Sequence, residues 1–492
     1  MKELCNRAKE YKIPFIAGII IAFLAHMFMF TNKLVNHDDI FYLFEKGATS
    51  SSGRWGLDLI SYIFPDYSMP WLYGVLSVVL IIISGCIVCE IFNIKNTVFQ
   101  ILITAIFVTH PSLTSTFTYM YTSTSYAVAV LFSVLTVYLF LTDKKLNKAI
   151  SVLLFVFVLS IYQAYISIIA TLFLLHIING LIKEDKKPTE IFKEVVSCLG
   201  MTVVALALYA AVTFAVFKIF DISFNDYAIK SLSNDLTFLK RIKIIYKEFI
   251  KIIVRGYYGI IPYRFMRIVH LIVSVIAFVK LFFIWLKKNL FGKICLLVFI
   301  LLLPVALNCL YFITSLNAIH TVVLYGYCCI YVLYIIVADG ENKTVVKNFV
   351  TAVLCAVVIS NIYVANESYL RMHMNYENTY SFYTSVVTSI KNTEGFDEDT
   401  KLALIGDSAN LQYKFEEFEN IKNVKGTKEI TNAYSKYEFI QKFIGFDMPK
   451  ATEEEINAVM QTEEYKNMSV YPYYNSIRRI GSIIVVKFSD NN

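Results

Sequence analysis

The chain has 492 residues, 57% of them apolar and 17% charged, with a formal net charge of +7. Soluble domains carry about a quarter charged residues, so this composition, with a mean hydropathy of +0.58, excludes an ordinary globular protein and calls for lipid as solvent. The basic residues sit in short clusters between apolar runs, which excludes a nucleic-acid-binding surface.

A helix needs about 20 apolar residues to span a bilayer. Candidate spans, in chain order, are 14–30, 71–92, 97–110, 125–142, 149–161, 163–182, 198–220, 266–286, 294–314, 321–338 and 346–365. The expected architecture is an all-α polytopic membrane protein of about eleven transmembrane helices, followed by a small soluble α/β domain. Residues 1–365 form the membrane domain, with external loops 31–70 and 221–265, and residues 366–492 form the external domain.

The first run follows Lys2, Arg7, Lys9 and Lys12, which favours a cytoplasmic N-terminus. No small-residue cleavage site follows Phe30, so the run reads as an uncleaved anchor. Alternation then places the loops 143–148, 183–197 (Lys183, Lys186, Lys187, Lys193), 287–293 and 339–345 inside, and all carry lysine. The loops 111–124 and 315–320 fall outside and carry no Lys or Arg. Treated as one helix, 149–182 would be about 51 Å long, too long for one crossing of a hydrocarbon core of about 30 Å. Two short helices meeting near Tyr162-Gln163 fit better.

Eight of the nine cysteines lie inside apolar runs, and Cys5 precedes the first. Cys86-Ile87-Val88-Cys89 has redox-motif spacing but reads as helix packing. None follows Cys355, so the C-terminal domain holds no disulfide.

The chemistry concentrates in the first external loop, Asn36-His37-Asp38-Asp39 and then Ser52-Gly53-Arg54-Trp55. Adjacent acids just beyond a membrane helix are costly unless solvated or used. One reading is a solvated loop. The other is a general base taking a proton from an acceptor hydroxyl as that oxygen attacks a sugar carbon. The leaving lipid phosphate then needs a cation. Arg54 and the basic 221–265 loop, with Arg255 and Arg264, supply candidates, arginine being the better bidentate partner. Trp55, Tyr119, Tyr121 and Tyr126 are placed to stack on a sugar or to form an interfacial belt.

In the tail, Lys401–Ile405 reads as a strand before a Gly406-Asp407-Ser408 turn, Thr452-x-x-Glu455 as a capping box, and 482–487 as a final strand. His373 with Glu377 is too little for a metal site. No Walker loop, dinucleotide fingerprint or zinc motif occurs. His26 and His176 read as packed helix residues, and His110-Pro111 as a helix end.

The acidic pair, Ser52-Gly53-Arg54-Trp55, Ser160-Ile161-Tyr162-Gln163-Ala164 and the ending Val470-Tyr471-Pro472-Tyr473…Ser476-Ile477…Gly481…Ile484-Val485-Val486-Lys487 together resemble the membrane glucosyltransferases of serotype-converting phages and bacterial surface-polysaccharide loci. These are GT-C-like, lipid-linked-sugar-dependent transferases. The resemblance implies transfer of glucose or a similar hexose from a polyprenyl-phosphate donor to a surface glycan, at the external face of a bacterial cytoplasmic membrane. It implies a first-loop acid, Asp38 or Asp39, as base, Asp38 being favoured with Asp39 binding or positioning acceptor, and site roles for Arg54, Tyr162 and Gln163. No cofactor is required; the two acids permit a divalent metal. A lipid-phosphate-sugar synthase and a flippase are the expected functional associates. The competing readings are a polysaccharide polymerase or ligase, which would carry a large external loop between late helices, and a transporter or flippase, which would show repeated helix sets and mid-helix charges.

Overall fold

The computed structural model describes residues 9–44, 49–65, 67–142, 144–183, 187–225, 229–230, 236–339, 344–408, 421–428 and 430–490. Lys2, Cys5, Arg7, Lys186 and most of the 339–345 loop, which enter the orientation and cysteine arguments, lie outside the described residues. The chain divides into two compact units. One comprises Met1–Lys33, Lys46–Ser368 and Glu419–Lys425; the other comprises Leu34–Glu45, Tyr369–Phe418 and Gly426–Asn492.

The first unit is built of α1 (Lys12–Thr31), α2 (Pro70–Ile91), α3 (Thr97–Thr109), α4 (Met120–Phe140), α5 (Lys145–Ile161), α6 (Ile166–Lys183), α7 (Pro188–Phe220), α8 (Phe238–Arg255), α9 (Arg264–Lys287), α10 (Leu290–Leu307), α11 (Cys328–Asp339) and the start of α12 (Thr344–Lys391). Among the described residues nine helices are long and apolar enough to cross a membrane. Each expected span appears as a helix, but two are shorter than one crossing. Pro111 lacks the N–H that would continue α3, so the chain bends by 41° into a second short helix, Pro111–Phe117. His110 at that corner is fully buried. The 17-residue α5 stops where Tyr162 turns extended, and Gln163–Tyr165 forms a 3₁₀ turn that opens α6. The expected break at Tyr162-Gln163 is therefore present.

Within this unit α1 packs on α2 and α3, α2 on α4, α4 on α5, α5 on α7, and α6 on α10. Several polar groups between the helices find local partners, since hydrocarbon offers none. His26 Nε2 donates to the Val108 carbonyl at 2.7 Å, and Ser77 Oγ to the Tyr73 carbonyl at 2.6 Å. The span Thr321–Asp339 is wholly buried and central, whereas only 11% of the apolar window in α7 is buried. Helix α8 is amphipathic: Ile245 and Ile252 are fully buried, and Lys240, Lys243 and Lys247 are exposed. Buried Arg241 on its inner face donates to the Tyr311 carbonyl at 2.7 Å.

Helix α12 runs 48 residues without interruption, joining the expected span 346–365 to the expected polar helix 366–391. No Gly or Pro lies between them to stop it. From Tyr369 it belongs to the second unit. There the chain adds β1 (Lys401–Ile405), α13 (Glu453–Met460), β2 (Ile477–Ile480) and β3 (Ile483–Lys487) in a sheet of order β1-β3-β2. β1 pairs parallel with β3, Lys401 facing Ile483, and β2 pairs antiparallel with β3. Both faces are covered. Leu402, Leu404, Ile484 and Val486 point into one core with Tyr383 and Phe439, while Ala403, Ile405, Ile483 and Val485 point into another with Val459 and Tyr465. α13 opens with the anticipated box, Thr452 Oγ1 accepting from Glu455 N at 3.2 Å. β2 is a strand that alternation does not reveal, because Ile477-Arg478-Arg479-Ile480 has no period of two.

Candidate functional site

The local fold of residues 49–58 is organised by Asp58. Its carboxylate accepts from the backbone N–H groups of Thr49 and Ser50, at 3.2 and 2.8 Å, and from both of their hydroxyls. Five hydrogen bonds brace the next step. Tyr209 donates its hydroxyl to the Gly53 carbonyl at 2.9 Å, and Gln163 Nε2 donates to Tyr209 Oη at 3.0 Å and to the Ser52 carbonyl at 3.2 Å. Asn225 closes the other side, its N–H on the Ser51 carbonyl at 3.1 Å and its Nδ2 on Ser51 Oγ at 3.0 Å. Gly53 takes φ of +76°, and a Cβ there would lie 2.7 Å from Tyr209 Oη. Gly56 lets α5 approach, because its Cβ would fall 2.0 Å from Ser160 Oγ. The Ser52–Trp55 and Ser160–Ala164 motifs, more than a hundred residues apart, are thus brought together.

What this framework presents is Arg54. Its guanidinium lies 5.0 Å from the centre of the Tyr162 ring, which stacks in turn on Tyr126 at 4.4 Å. Both line or back a cavity of about 280 Å³. Its walls include Leu159, Ile166, Leu206, Phe224, Ile313 and Val323, with Arg54, Gln163, Tyr209 and His320 as polar points. An apolar cleft with a few convergent polar groups is the ordinary form of a small-molecule site. The His320 imidazole is pushed down to about 4, first by burial and then by the charges of Lys425 and Arg54, so it is neutral at physiological pH. Its buried Nδ1 makes no hydrogen bond among the described residues. His320 and Tyr209 are additions to the sequence reading. Tyr209 is hidden in an apolar run, and His320 lies in a loop noted only for its lack of Lys and Arg. An isolated histidine in such a loop is the one signal that would have marked it.

Asp38 and Asp39 belong to the second unit. They open a short helix, His37–Phe41, capped by Asn36, whose Oδ1 accepts from both aspartate N–H groups at 2.9 and 3.0 Å. The two acids differ. Asp39 is fully buried, whereas Asp38 keeps 27% of its side chain exposed, with the Tyr434 hydroxyl donating to its Oδ1 and His37 Nε2 at 3.8 Å. The Tyr434 hydroxyl is pushed up by burial and then by the Asp38 charge, so it stays a proton donor. Lys442 donates to the Ile40 and Phe41 carbonyls at 3.3 and 2.9 Å, satisfying the far end of this helix.

The remaining expected residues sit elsewhere. Trp55 donates its indole N–H to Thr213 Oγ1 at 3.0 Å and sets its ring edge-on to Phe157. Arg255 ends α8, its carbonyl accepting from Arg267, and Arg264 begins α9; both are exposed and neither lines the cavity. His373 pairs with Glu377 at 3.2 Å. Among the described residues no group of three or more His, Cys, Asp or Glu side chains is placed to hold a metal ion.

A bundle of long apolar helices defines a polytopic membrane protein, and within it a guanidinium is held over an aromatic ring beside an apolar cavity. Residues 27–333 match the family described as glucosyl transferase GtrII. That is more than half the chain, and the protein belongs to this family, as the sequence motifs indicate; it is a membrane-bound glucosyltransferase. The match contains Asp38, Arg54, Tyr162, Gln163 and His320 but ends before α12, so the ending 470–487 lies outside it. No curated protein and no solved structure matches the chain.

Proposed function

We propose that the protein transfers glucose, or a similar hexose, from a polyprenyl-phosphate donor to a bacterial surface glycan at the external face of the cytoplasmic membrane. The observation that carries the reading is Arg54 over Tyr162 inside an apolar cavity. A lipid-phosphate sugar needs apolar wall for its prenyl chain and a fixed cation for the phosphate, and Arg54 with its neighbours combines the two. In the reaction an acceptor oxygen bonds to the anomeric carbon while the bond from that carbon to the phosphate oxygen breaks. The electron pair leaves with the polyprenyl phosphate, and negative charge develops where a guanidinium stabilises it.

The acceptor proton requires a base, and we assign it to Asp38. Its carboxylate is partly exposed and held by Tyr434, whereas the buried Asp39 is suited to positioning. Gln163 and Tyr209 fix the loop that carries Arg54, and neutral His320 offers a hydrogen bond to a sugar hydroxyl. The orientation that follows from the lysine-bearing loops puts the N-terminus inside and the tail outside.

The test is transfer of label from radiolabelled polyprenyl-phosphate-glucose to the host's surface glycan, by membranes holding wild type, Arg54→Ala, Asp38→Asn or Asp39→Asn at equal expression. Loss of transfer in Arg54→Ala and Asp38→Asn, with folding retained, supports both assignments. Transfer equal to wild type in Asp38→Asn removes that residue as base, and transfer equal to wild type in Arg54→Ala removes the cavity as the donor-phosphate site.

A further inference from the structure

The second unit carries a separate groove that the glucosyltransferase match does not reach. It lies between the end of α12 and the residues just after it, with Ser389, Asn392 and Glu394, and the turn into the start of β2, with Tyr473, Tyr474 and Arg478, and this open groove has a volume of about 1,090 Å³. That is just above the range of about 300–1,000 Å³ usual for small-molecule sites, room for an oligomer. The turn is rigidly made. Tyr473 N–H bonds to the Val470 carbonyl at 3.0 Å and Ser476 N–H to the Tyr473 carbonyl at 3.2 Å, with Asn475 between them in a left-handed conformation. It is tied to β3 by Tyr471 N–H on the Lys487 carbonyl at 2.8 Å and Lys487 N–H on the Ser476 carbonyl at 3.0 Å. This fixed turn holds two tyrosine rings almost fully in water, Tyr473 at 73% and Tyr474 at 96% exposure.

Two adjacent exposed aromatics on a braced turn are costly to leave uncovered, and they supply broad, amphipathic faces with little side-chain entropy to lose. Around them the groove offers amide, hydroxyl, carboxylate and guanidinium groups, the donor and acceptor mixture that a polyhydroxylated chain satisfies. Arg479 is committed to the wall, donating to the Gly395 carbonyl at 2.7 Å and the Gly481 carbonyl at 3.0 Å. With Arg478 and Glu394 the lining carries two guanidiniums and one carboxylate, a mixed charge of small excess rather than the basic cluster a polyanion needs. A protein partner would be met by an apolar centre, which this polar groove lacks.

We propose that this groove binds a glycan chain of several hexose or N-acetylhexosamine units, with sugar faces against Tyr473 and Tyr474 and hydroxyls bonded by Arg478, Asn392 and Glu394. Its role as the acceptor's docking site rests on the transferase reading above; its affinity for glycans does not.

The experiment uses the full-length protein in nanodiscs, without donor, titrated with hexasaccharides of glucose, galactose, mannose and N-acetylglucosamine, and with polyglutamate. At least one hexasaccharide binds the wild type, and the Tyr473→Ala/Tyr474→Ala pair weakens it about tenfold or more, with Arg478→Gln weakening it less. In the transfer assay the same pair raises the acceptor KM and leaves kcat near wild type. The proposal is overturned if no hexasaccharide binds, if the tyrosine pair binds as tightly as wild type, or if polyglutamate binds as well as the sugars. Glycan binding by a protein that transfers no sugar leaves the groove standing and removes the transferase reading; normal transfer with no binding here does the reverse.

Discussion

Single residues divide the labour in ways that substitutions can separate. Arg54 meets Tyr162 through a flat guanidinium, and lysine has neither the stacking face nor the bidentate fork. Arg54→Ala is expected to lower kcat/KM by about 10²–10³-fold, the usual loss for a preorganised group facing developing charge, with Arg54→Lys recovering little of it. Tyr434→Phe removes the donor to Asp38 and is expected to slow transfer without abolishing it, as seen in kcat. His320 gives a pH signature. Its folded value near 4 lies below the usual histidine value, so the unfolded chain binds more protons across the interval between them. The stability this contributes is fully present above about pH 6.5 and is lost as the pH falls toward 4. Thermal melts of wild type are therefore expected to fall more steeply over that interval than those of His320→Gln, and to run parallel above it.

At the scale of elements, the 49–54 turn shows how backbone conformation secures a side chain elsewhere. Gly53→Ala puts a Cβ in a left-handed residue, which costs about 1–2 kcal/mol, and displaces Tyr209 from both of its partners. Lower melting temperature and weaker donor binding are the expected results. Adding Tyr209→Phe is not expected to restore binding, because the Gly53 carbonyl and Gln163 then lose a partner altogether. The broken pair α5 and α6 has the reverse logic. Tyr162 leaves helical geometry, and that departure is what turns its ring toward Arg54. The break was readable from length, since 34 apolar residues cannot cross once, but the use made of it was not.

For the whole molecule, the eleven apolar runs were legible because lipid imposes one simple rule, and every run is a helix. The site was legible in pieces. Ser52–Trp55 stood out in a polar loop, and Tyr162-Gln163 at the break of an overlong apolar run and in the family resemblance, and they do converge. Tyr209 looks like an ordinary member of an apolar stretch, and His320 like a lone loop histidine, until folding places them. Nor did residues 34–45 announce that they belong with the tail, a pairing across more than 300 positions that leaves no local trace. Orientation gives a test at this scale. Tyr474→Cys is expected to react with a membrane-impermeant maleimide in spheroplasts, and Lys187→Cys only after permeabilisation; the opposite pattern inverts the topology and places the transfer chemistry inside.

The pairing of β1 with β3 has a consequence in time. Lys401 faces Ile483, so the first strand is synthesised and then waits for its neighbour while roughly 80 more residues are made, on the order of 4–16 s at 5–20 residues per second. During that wait both faces of Lys401–Ile405, apolar on each side, are open to any other extended segment on the same side of the membrane. The yield of a chain with this order of assembly should therefore fall when translation is slowed between β1 and β3 and be unaffected when it is slowed after β3.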